Sequence, residues 1–137
     1  MVDGFGLSGR NVLITGASKG LGRSCAEAFA AQGASVLLAA RSADKLAKVA
    51  DALEGPGRHA ICAADLSAQG GIEELVAAAA VYGEIDVVLH AMGGGLGMRD
   101  PLLAWEEFDA LFKTNLASAA ALNKALVPKM AERQTGN

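Results

Sequence analysis

The sequence is poor in the residues from which disulfide-stapled, metal-bound and aromatic-rich folds are built. Its 137 residues include only two cysteines, two histidines and three prolines, and 4% of them are aromatic. Cys25 and Cys62 lack metal-ligand spacing, which is typical of small buried thiols in a reducing compartment. We therefore expect a cytoplasmic protein. With only His59 and His90 as further soft ligands, we expect no metal site.

Long apolar runs and clustered positive charge are also missing. No apolar run reaches the roughly 20 residues that cross a bilayer. Residues 1–5 lack the basic start and long apolar stretch of a signal peptide. The net charge is −3, and the lysines and arginines are scattered rather than gathered into a basic patch. We therefore expect neither a membrane nor a nucleic-acid partner.

What the sequence has instead is an alternation of strand and helix patterns, in a length suited to one domain with a core. Apolar runs predict strands over 11–15, 35–40, 59–62 and 85–90, and the remaining periodicity predicts helices over 21–32, 43–53, 71–82 and 105–133. Such alternation predicts an α/β fold with a doubly wound parallel sheet and helices on both faces. A ligand is then expected beyond the carboxyl ends of the strands, where strand order reverses.

Residues 15–22, which read TGASKGLG, lie between the first predicted strand and the first predicted helix. Glycine allows a tight turn and a close approach of the backbone to a ligand. The first N–H groups of the following helix have no partner inside it, so they can bind an anion. The stretch therefore predicts a phosphate cradle. The alternative is a plain glycine-rich surface turn.

The spacing Thr-Gly-x-x-x-Gly-x-Gly resembles the cofactor turn of the short-chain dehydrogenase/reductase family. The resemblance continues through Asp65-Leu66, the strand at 85–89 and Asn115, and so covers nearly the whole chain. It implies a Rossmann-like NAD(P)-binding fold in three α/β/α layers. Family members are typically about twice as long, so we expect the N-terminal cofactor-binding half, truncated after about four strands. The turn residues expected to bind the cofactor are Gly16, Ser18, Lys19, Gly20, Leu21 and Gly22.

The end of the second strand indicates which cofactor is preferred. NAD-dependent dehydrogenases place an acidic residue there, which bonds the ribose hydroxyls and repels a 2′-phosphate. Here the segment is Ala40-Arg41-Ser42, with no carboxylate. Arg41 offers a fork of donors suited to a phosphate, and Lys19 reaches the same phosphate in similar family members. We therefore predict NADP(H) over NAD(H), with Arg41 and Ser42 in the site. Alternatively, both cations are solvated surface charges.

Two further segments are expected to line the cofactor by resemblance. Asp65 and Leu66 match the pair that borders the adenine, although Asp65 could instead cap the next helix. After the fourth strand, family members carry Asn-Asn-Ala-Gly, whereas this chain has His90-Ala91-Met92-Gly93. The backbone at Ala91 and Gly93 can still line the nicotinamide ribose. We expect His90 to pack or hydrogen-bond at the strand end rather than to catalyse.

Asn115 is the one residue of this chain to which the resemblance gives a catalytic role. Asparagine is unfavourable inside a helix because its side chain competes for backbone hydrogen bonds. In the family, the equivalent asparagine disturbs the helix and holds a water in the proton relay. The alternative is an exposed asparagine without consequence.

The rest of the family's catalytic set has no counterpart here. The resemblance implies hydride transfer between nicotinamide and a small carbonyl or alcohol substrate. In the family, the tyrosine of a Tyr-x-x-x-Lys pair donates the proton, the lysine lowers the pKa of that tyrosine, and a serine polarises the carbonyl. The only tyrosine, Tyr82, is followed four residues later by Asp86, not lysine. We therefore predict the cofactor half of an NADP(H)-dependent oxidoreductase, with a non-catalytic dinucleotide-binding module as the alternative. The family also implies a homo-oligomer, and an open sheet edge at the fourth strand would favour association.

Overall fold

The computed structural model describes residues 4–137. The strands are β1 (Asn11–Thr15), β2 (Ser35–Ala40), β3 (His59–Ala63) and β4 (Val87–His90). The helices are α1 (Gly20–Ala31), α2 (Ala43–Asp51), α3 (Gln69–Tyr82), α4 (Trp105–Phe112) and α5 (Ser118–Arg133). A π-helical segment, Lys113–Ala117, joins α4 to α5.

The strands of the described residues form one parallel sheet in the order β3-β2-β1-β4. Strand order therefore reverses at β1, between β2 on one side and β4 on the other. The predicted doubly wound, Rossmann-like α/β fold is confirmed. Element boundaries differ from the predicted ones by two residues or fewer at most ends, as is usual where helices and strands fray.

Side chains of the central strands alternate between the two faces of the sheet. Val12, Ile14, Val36 and Leu38 pack toward α1 and α2, and each is completely buried. Residues of opposite parity, such as Leu13, pack toward α3 and α5. Because helices cover both faces of the sheet, the residues of these strands are apolar at successive positions. Full burial of one such side chain stabilises the fold by about 1.5–3 kcal/mol.

The last helical region differs from the single helix predicted over 105–133. It is divided into α4, the π segment and α5, and the interruption falls at Asn115. Pro128 lies inside α5 without ending it, because the helix continues to Arg133. No helix among residues 4–137 is both long enough and apolar enough to cross a membrane.

The edge at β4 is less open than predicted. The backbone N–H of Asn137 donates to the carbonyl of Asp86 at 2.9 Å, and the N–H of Val88 donates to the carbonyl of Asn137 at 2.9 Å. This is the pattern of a parallel bridge to Val87. The start of the edge strand is therefore already paired within the chain.

The amino ends of the strands are tied together by Tyr82 and Arg58. The Tyr82 hydroxyl donates to the carbonyl of Arg58 at 2.7 Å, and the Arg58 guanidinium lies 4.4 Å from the centre of the Tyr82 ring while donating to the Tyr82 carbonyl. Burial raises the pKa of the Tyr82 phenol. Tyr82 therefore serves the packing at the end of the sheet opposite the predicted site.

Candidate cofactor site

The predicted cradle lies between β1 and α1, and the start of α1 has no side-chain cap. The N–H of Ala17 donates to the carbonyl of Ala39 at 3.1 Å, which fixes the turn beside the end of β2. Lys19 is the N-cap of α1, and its side chain does not cap the helix. The first amides of α1 therefore have no side-chain acceptor and can bind an anion. Leu21, in the first turn, is 70% exposed.

Three glycines of the turn are required for different reasons. A Cβ at Gly22 would lie 2.3 Å from the carbonyl oxygen of Gly16, so α1 packs directly on the turn. A Cβ at Gly16, where φ is +65°, would lie 2.6 Å from the carbonyl oxygen of Ala91. A Cβ at Gly20, where φ is +55°, would meet nothing within 4 Å. Open space at the start of a helix fits a bound diphosphate.

The end of β4 lies against the same turn. Thr15 is 2% exposed, and its hydroxyl accepts a hydrogen bond from the N–H of Met92 at 3.3 Å. Together with the contact between Gly16 and Ala91, this bond brings the main chain of residues 91–93 beside the cradle. The main chain after β4 therefore reaches the cradle without the two asparagines of the family's Asn-Asn-Ala-Gly segment. The Thr15 hydroxyl is a link that sequence reasoning missed.

The two predicted cations lie on the loops at the carboxyl ends of β1 and β2. Lys19 and Arg41 are exposed, and neither forms an ion pair within residues 4–137. The hydroxyl of Ser42, the N-cap of α2, accepts from the N–H of Lys45 at 3.4 Å. Ser42 therefore caps α2, and the side chains of Lys19 and Arg41 remain available to an anion.

Asp65 lies just beyond β3, level with the end of β2. The N–H of Ala64 donates to the carbonyl of Ala40 at 2.9 Å. The Asp65 carboxylate accepts from the Ser67 hydroxyl at 2.6 Å and from the Ser67 N–H at 3.0 Å. These bonds hold the pKa of the Asp65 carboxyl below its ordinary value. The alternative role as a helix cap is wrong, since the N-cap of α3 is Ala68.

Leu66 is placed differently from the other predicted cofactor residues. Its side chain is 2% exposed and belongs to the core between the sheet and α3. Only the main chain of Leu66 can therefore line a ligand. Its apolar side chain anchors the segment that carries Asp65.

Asn115 lies at the centre of the π segment and holds the loop after β4. Its side-chain oxygen accepts from the N–H of Gly94 at 2.8 Å, and its side-chain nitrogen donates to the carbonyls of Gly94 at 3.0 Å and Leu111 at 2.9 Å. The Asn115 side chain is exposed, but its hydrogen bonds give it a structural role in holding this loop, and its catalytic role stays a prediction. A Cβ at Gly93 would lie 2.7 Å from the Asn115 oxygen, which explains that glycine.

Two other features of this end of the sheet complete the geometry. His90 Nε2 lies 2.8 Å from the side-chain oxygen of Asn123 in α5, so it hydrogen-bonds at the strand end as expected. The loop tip turns at residues 95–98, where Leu96 has φ +52° and the N–H of Met98 donates to the carbonyl of Gly95 at 2.8 Å.

Among residues 4–137, no group of three or more potential ligand side chains could hold a metal ion.

Comparison with known proteins gives the family. The family model described as short chain dehydrogenase matches residues 10–137. An oxidoreductase of Mycobacterium tuberculosis is 36% identical over 140 residues, which cover 99% of this chain and 52% of that protein. L-sorbose reductase from Gluconobacter frateurii, solved with NADPH and L-sorbose, matches with a TM-score of 0.86 and 30% identity over 93% of this chain and 50% of its own.

A metagenomic short-chain oxidoreductase, solved in complex with NADP, has a TM-score of 0.86 and 32% identity over 95% of this chain and 60% of its own. The chain therefore spans about half the length of the relatives it matches. Because the family model covers almost all of it, the chain belongs to the short-chain dehydrogenase/reductase family of oxidoreductases.

Proposed function

We propose that this chain is the dinucleotide-binding part of an NADP(H)-dependent oxidoreductase. The observation that carries the proposal is the uncapped start of α1, with open space at Gly20 and an arginine instead of an acid after β2. Helix amides bind phosphate oxygens, and a guanidinium fork matches a phosphate group. The two features lie at the strand ends where α/β sheets bind nucleotides.

The diphosphate would lie on the turn. The residues proposed to hold it, by their main chain or by a short side chain, are Gly16, Ser18, Gly20, Leu21 and Gly22. The exposed Leu21 side chain would cover one side of the nucleotide, since an apolar group in that position is otherwise unpacked. The macrodipole of α1 adds a favourable field for the negative charge.

The 2′-phosphate would be chosen by Arg41 and Lys19. The absence of an ion pair to either cation within residues 4–137 supports this, since no internal salt bridge must break on binding. Ser42 borders the same site, with its hydroxyl directed to the cap of α2. The NADPH and NADP complexes of two structural neighbours support the same preference.

Asp65 and Leu66 would border the adenine, and the main chain of Ala91 and Gly93 would border the nicotinamide ribose. The bound cofactor would supply the hydride that is exchanged with a carbonyl or alcohol carbon. Asn115 would act at this end by fixing Gly94, and with it the loop beside the nicotinamide.

A second function is favoured by one observation. The only tyrosine in the chain, Tyr82, is held by Arg58 at the amino ends of the strands and lacks a lysine four residues on. Residues 1–137 would therefore bind dinucleotide without turnover. Mixing the chain with NADPH and a reactive ketone separates the two functions: loss of cofactor absorbance supports an oxidoreductase, and binding without loss supports a binding module.

We also propose that the protein is a cytoplasmic homo-oligomer that associates through the α4–α5 region. Trp105, Phe108, Phe112 and Leu116 follow one another at helical spacing and are between 48% and 77% exposed. We call these four residues the apolar stripe. Burying it against a second copy would remove a large apolar surface from water. Sedimentation of the chain over a range of concentrations would test this, and a monomer at all of them would contradict it.

The cofactor preference is tested by the Arg41→Ala substitution. We expect NADPH binding to weaken about tenfold or more, and NADH binding to change by less than about twofold, because only NADPH carries the phosphate. Titration of both cofactors by calorimetry measures the two constants. Arg10→Ala, at the opposite end of the sheet, is the matched control and should alter neither. Equal losses for both cofactors would contradict the proposal.

A further inference from the structure

The loop between β4 and α4 is fixed at both ends and unattached in between. At its start, Asn115 binds both the N–H and the carbonyl of Gly94. At its end, the N–H of Ala104 donates to the Glu107 carboxylate at 2.8 Å. Residues 95–103, which we call the flap, form no hydrogen bond or ion pair with any other part of residues 4–137. None of the flap residues is buried, so the flap can move while its two ends stay in place.

Two leucines of the flap carry apolar surface that no packing in residues 4–137 accounts for. Leu96 is 45% exposed and Leu102 is 87% exposed. Leu96 also has φ +52°, a left-handed conformation in which a residue with a side chain is strained. Gly97 follows with φ +79°, and turns of this kind usually carry asparagine or glycine where this chain has Leu96. Strained residues of this sort cluster at ligand clamps, which indicates that the leucine serves a contact made with a ligand.

The fixed start of the flap lies next to the main chain proposed to border the nicotinamide ribose. That main chain reaches the cradle through the bond from Met92 to Thr15 and through the contact between Ala91 and Gly16. Leu96 is two residues beyond Gly94, which corresponds to at most about 7 Å of extended chain. Leu102 is eight residues beyond Gly94. Of the two exposed leucines, Leu96 is therefore the one confined to the nicotinamide end of the site.

We infer that the flap closes over the nicotinamide when the dinucleotide binds, and that Leu96 is the residue that covers the ring. The inference rests on the proposed function, because it requires the nicotinamide to lie beside Ala91 and Gly93. The reduced ring is uncharged and presents an apolar face, on which a leucine side chain can pack. Closure would remove Leu96 from water and would exclude water from the ring carbon that gives or takes the hydride.

Two ligands that differ in the nicotinamide test the closure. NADPH and 2′-phospho-ADP-ribose, which lacks the nicotinamide, are each added to the 137-residue chain at saturation, and amide hydrogen exchange is measured. Both ligands should slow exchange in the cradle, at residues 18–22. Only NADPH should slow exchange across the flap, by about tenfold, because only the nicotinamide gives Leu96 an apolar surface to cover.

Leu96→Ala tests the residue assigned to the cover. Alanine keeps the left-handed backbone and removes only the apolar side chain. We expect NADPH to bind about threefold to tenfold more weakly and 2′-phospho-ADP-ribose to bind as before. Leu102→Ala is the matched control, since it removes the same side chain from the same flap, farther from Gly94. It should leave the binding of both nucleotides unchanged.

The inference is overturned if the flap amides exchange equally fast with and without NADPH, or if both ligands slow them alike. It is also overturned if Leu96→Ala weakens both nucleotides equally, or if Leu102→Ala has the same effect as Leu96→Ala. A protected cradle beside an unprotected flap would leave the proposed function standing. If neither nucleotide protects the cradle, the proposed function fails, and the inference fails with it.

Discussion

The α1/α2 face of the sheet and the α4–α5 region are made of similar apolar residues but are packed very differently. On the first, Ile14 and Leu38 are completely buried. On the second, Phe108 and Leu116 are 56% and 55% exposed, and the loop before α4 is held by the side chain of Asn115. The face beside the cradle is therefore sealed by its own packing. In the α4–α5 region, α5 packs on the sheet through Leu122 and Leu126, whereas the apolar stripe of α4 and the π segment stays exposed.

The largest effect should come from filling the contact between α1 and the turn. Gly22→Ala would place a carbon 2.3 Å from the carbonyl oxygen of Gly16, against backbone that cannot move aside. We expect a loss of about 3 kcal/mol or more in the free energy of unfolding, together with loss of cofactor binding. Urea unfolding and NADPH titration measure the two.

Gly20→Ala is the control for that substitution, because the added carbon there would enter open space. Its cost should be the strain of a positive φ alone, about 1–2 kcal/mol. Similar losses for the two variants would show that packing of α1 on the turn is not what limits position 22.

The same substitution made on both regions sharpens the comparison. Leu38→Ala removes a completely buried side chain and should cost about 2–5 kcal/mol. Leu116→Ala removes a side chain of the apolar stripe and should change the stability of the monomer by less than about 0.5 kcal/mol. Chemical unfolding measures both, and sedimentation should show weaker self-association for Leu116→Ala. A large loss of monomer stability at Leu116 would contradict the distinction between the regions.

A smaller effect is expected at Asn115, where polar bonds replace packing. Asn115→Ala removes the bonds to Gly94 and Leu111 and should cost about 1–2 kcal/mol. Hydrogen exchange at the Gly94 amide should become faster. Asn123→Ala, which removes one bond to His90, is the control and should cost less. Equal costs would mean that the loop after β4 is not held by Asn115.

The smallest effect is a dependence of stability on pH from His59 in β3. Both ring nitrogens are buried without a hydrogen-bond partner among the described residues, and burial lowers the pKa of His59 below its ordinary value of about 6.5. Between these two pKa values the unfolded chain binds more protons, so stability falls as the pH drops below about 6.5. His59→Leu should flatten this slope in unfolding experiments from pH 7.5 to pH 5.5. An unchanged slope would contradict it.

Much of the fold could be predicted because it depends on local patterns. The apolar runs of β1 and β2 and the glycines of the turn identify strand, turn and helix without knowledge of any distant contact. The cap at Ser42 and the unfavourable position of Asn115 were also visible in the sequence. These patterns predicted a site at the carboxyl ends of the strands. In the structure the glycine turn lies at the carboxyl end of β1.

The features that could not be predicted depend on residues far apart in the chain. The π segment forms where Asn115 bonds to Gly94, 21 residues earlier, and no local pattern specifies that partner. The pairing of Asn137 with β4 is of the same kind. By contrast, the bond between Ser67 and Asp65 is local, and an aspartate followed two residues later by serine could have indicated it.

The single tryptophan and the single tyrosine lie in parts of the chain that differ in exposure. Trp105, at the start of α4, is 77% exposed, whereas Tyr82 is 7% exposed and lies under the Arg58 guanidinium. Indole fluorescence will therefore report what happens at the apolar stripe and will hardly change when the core melts. Near-ultraviolet absorbance of the phenol will follow the melting itself. Each chromophore thus supplies a separate optical channel, and the two can be recorded in one cuvette without any added label.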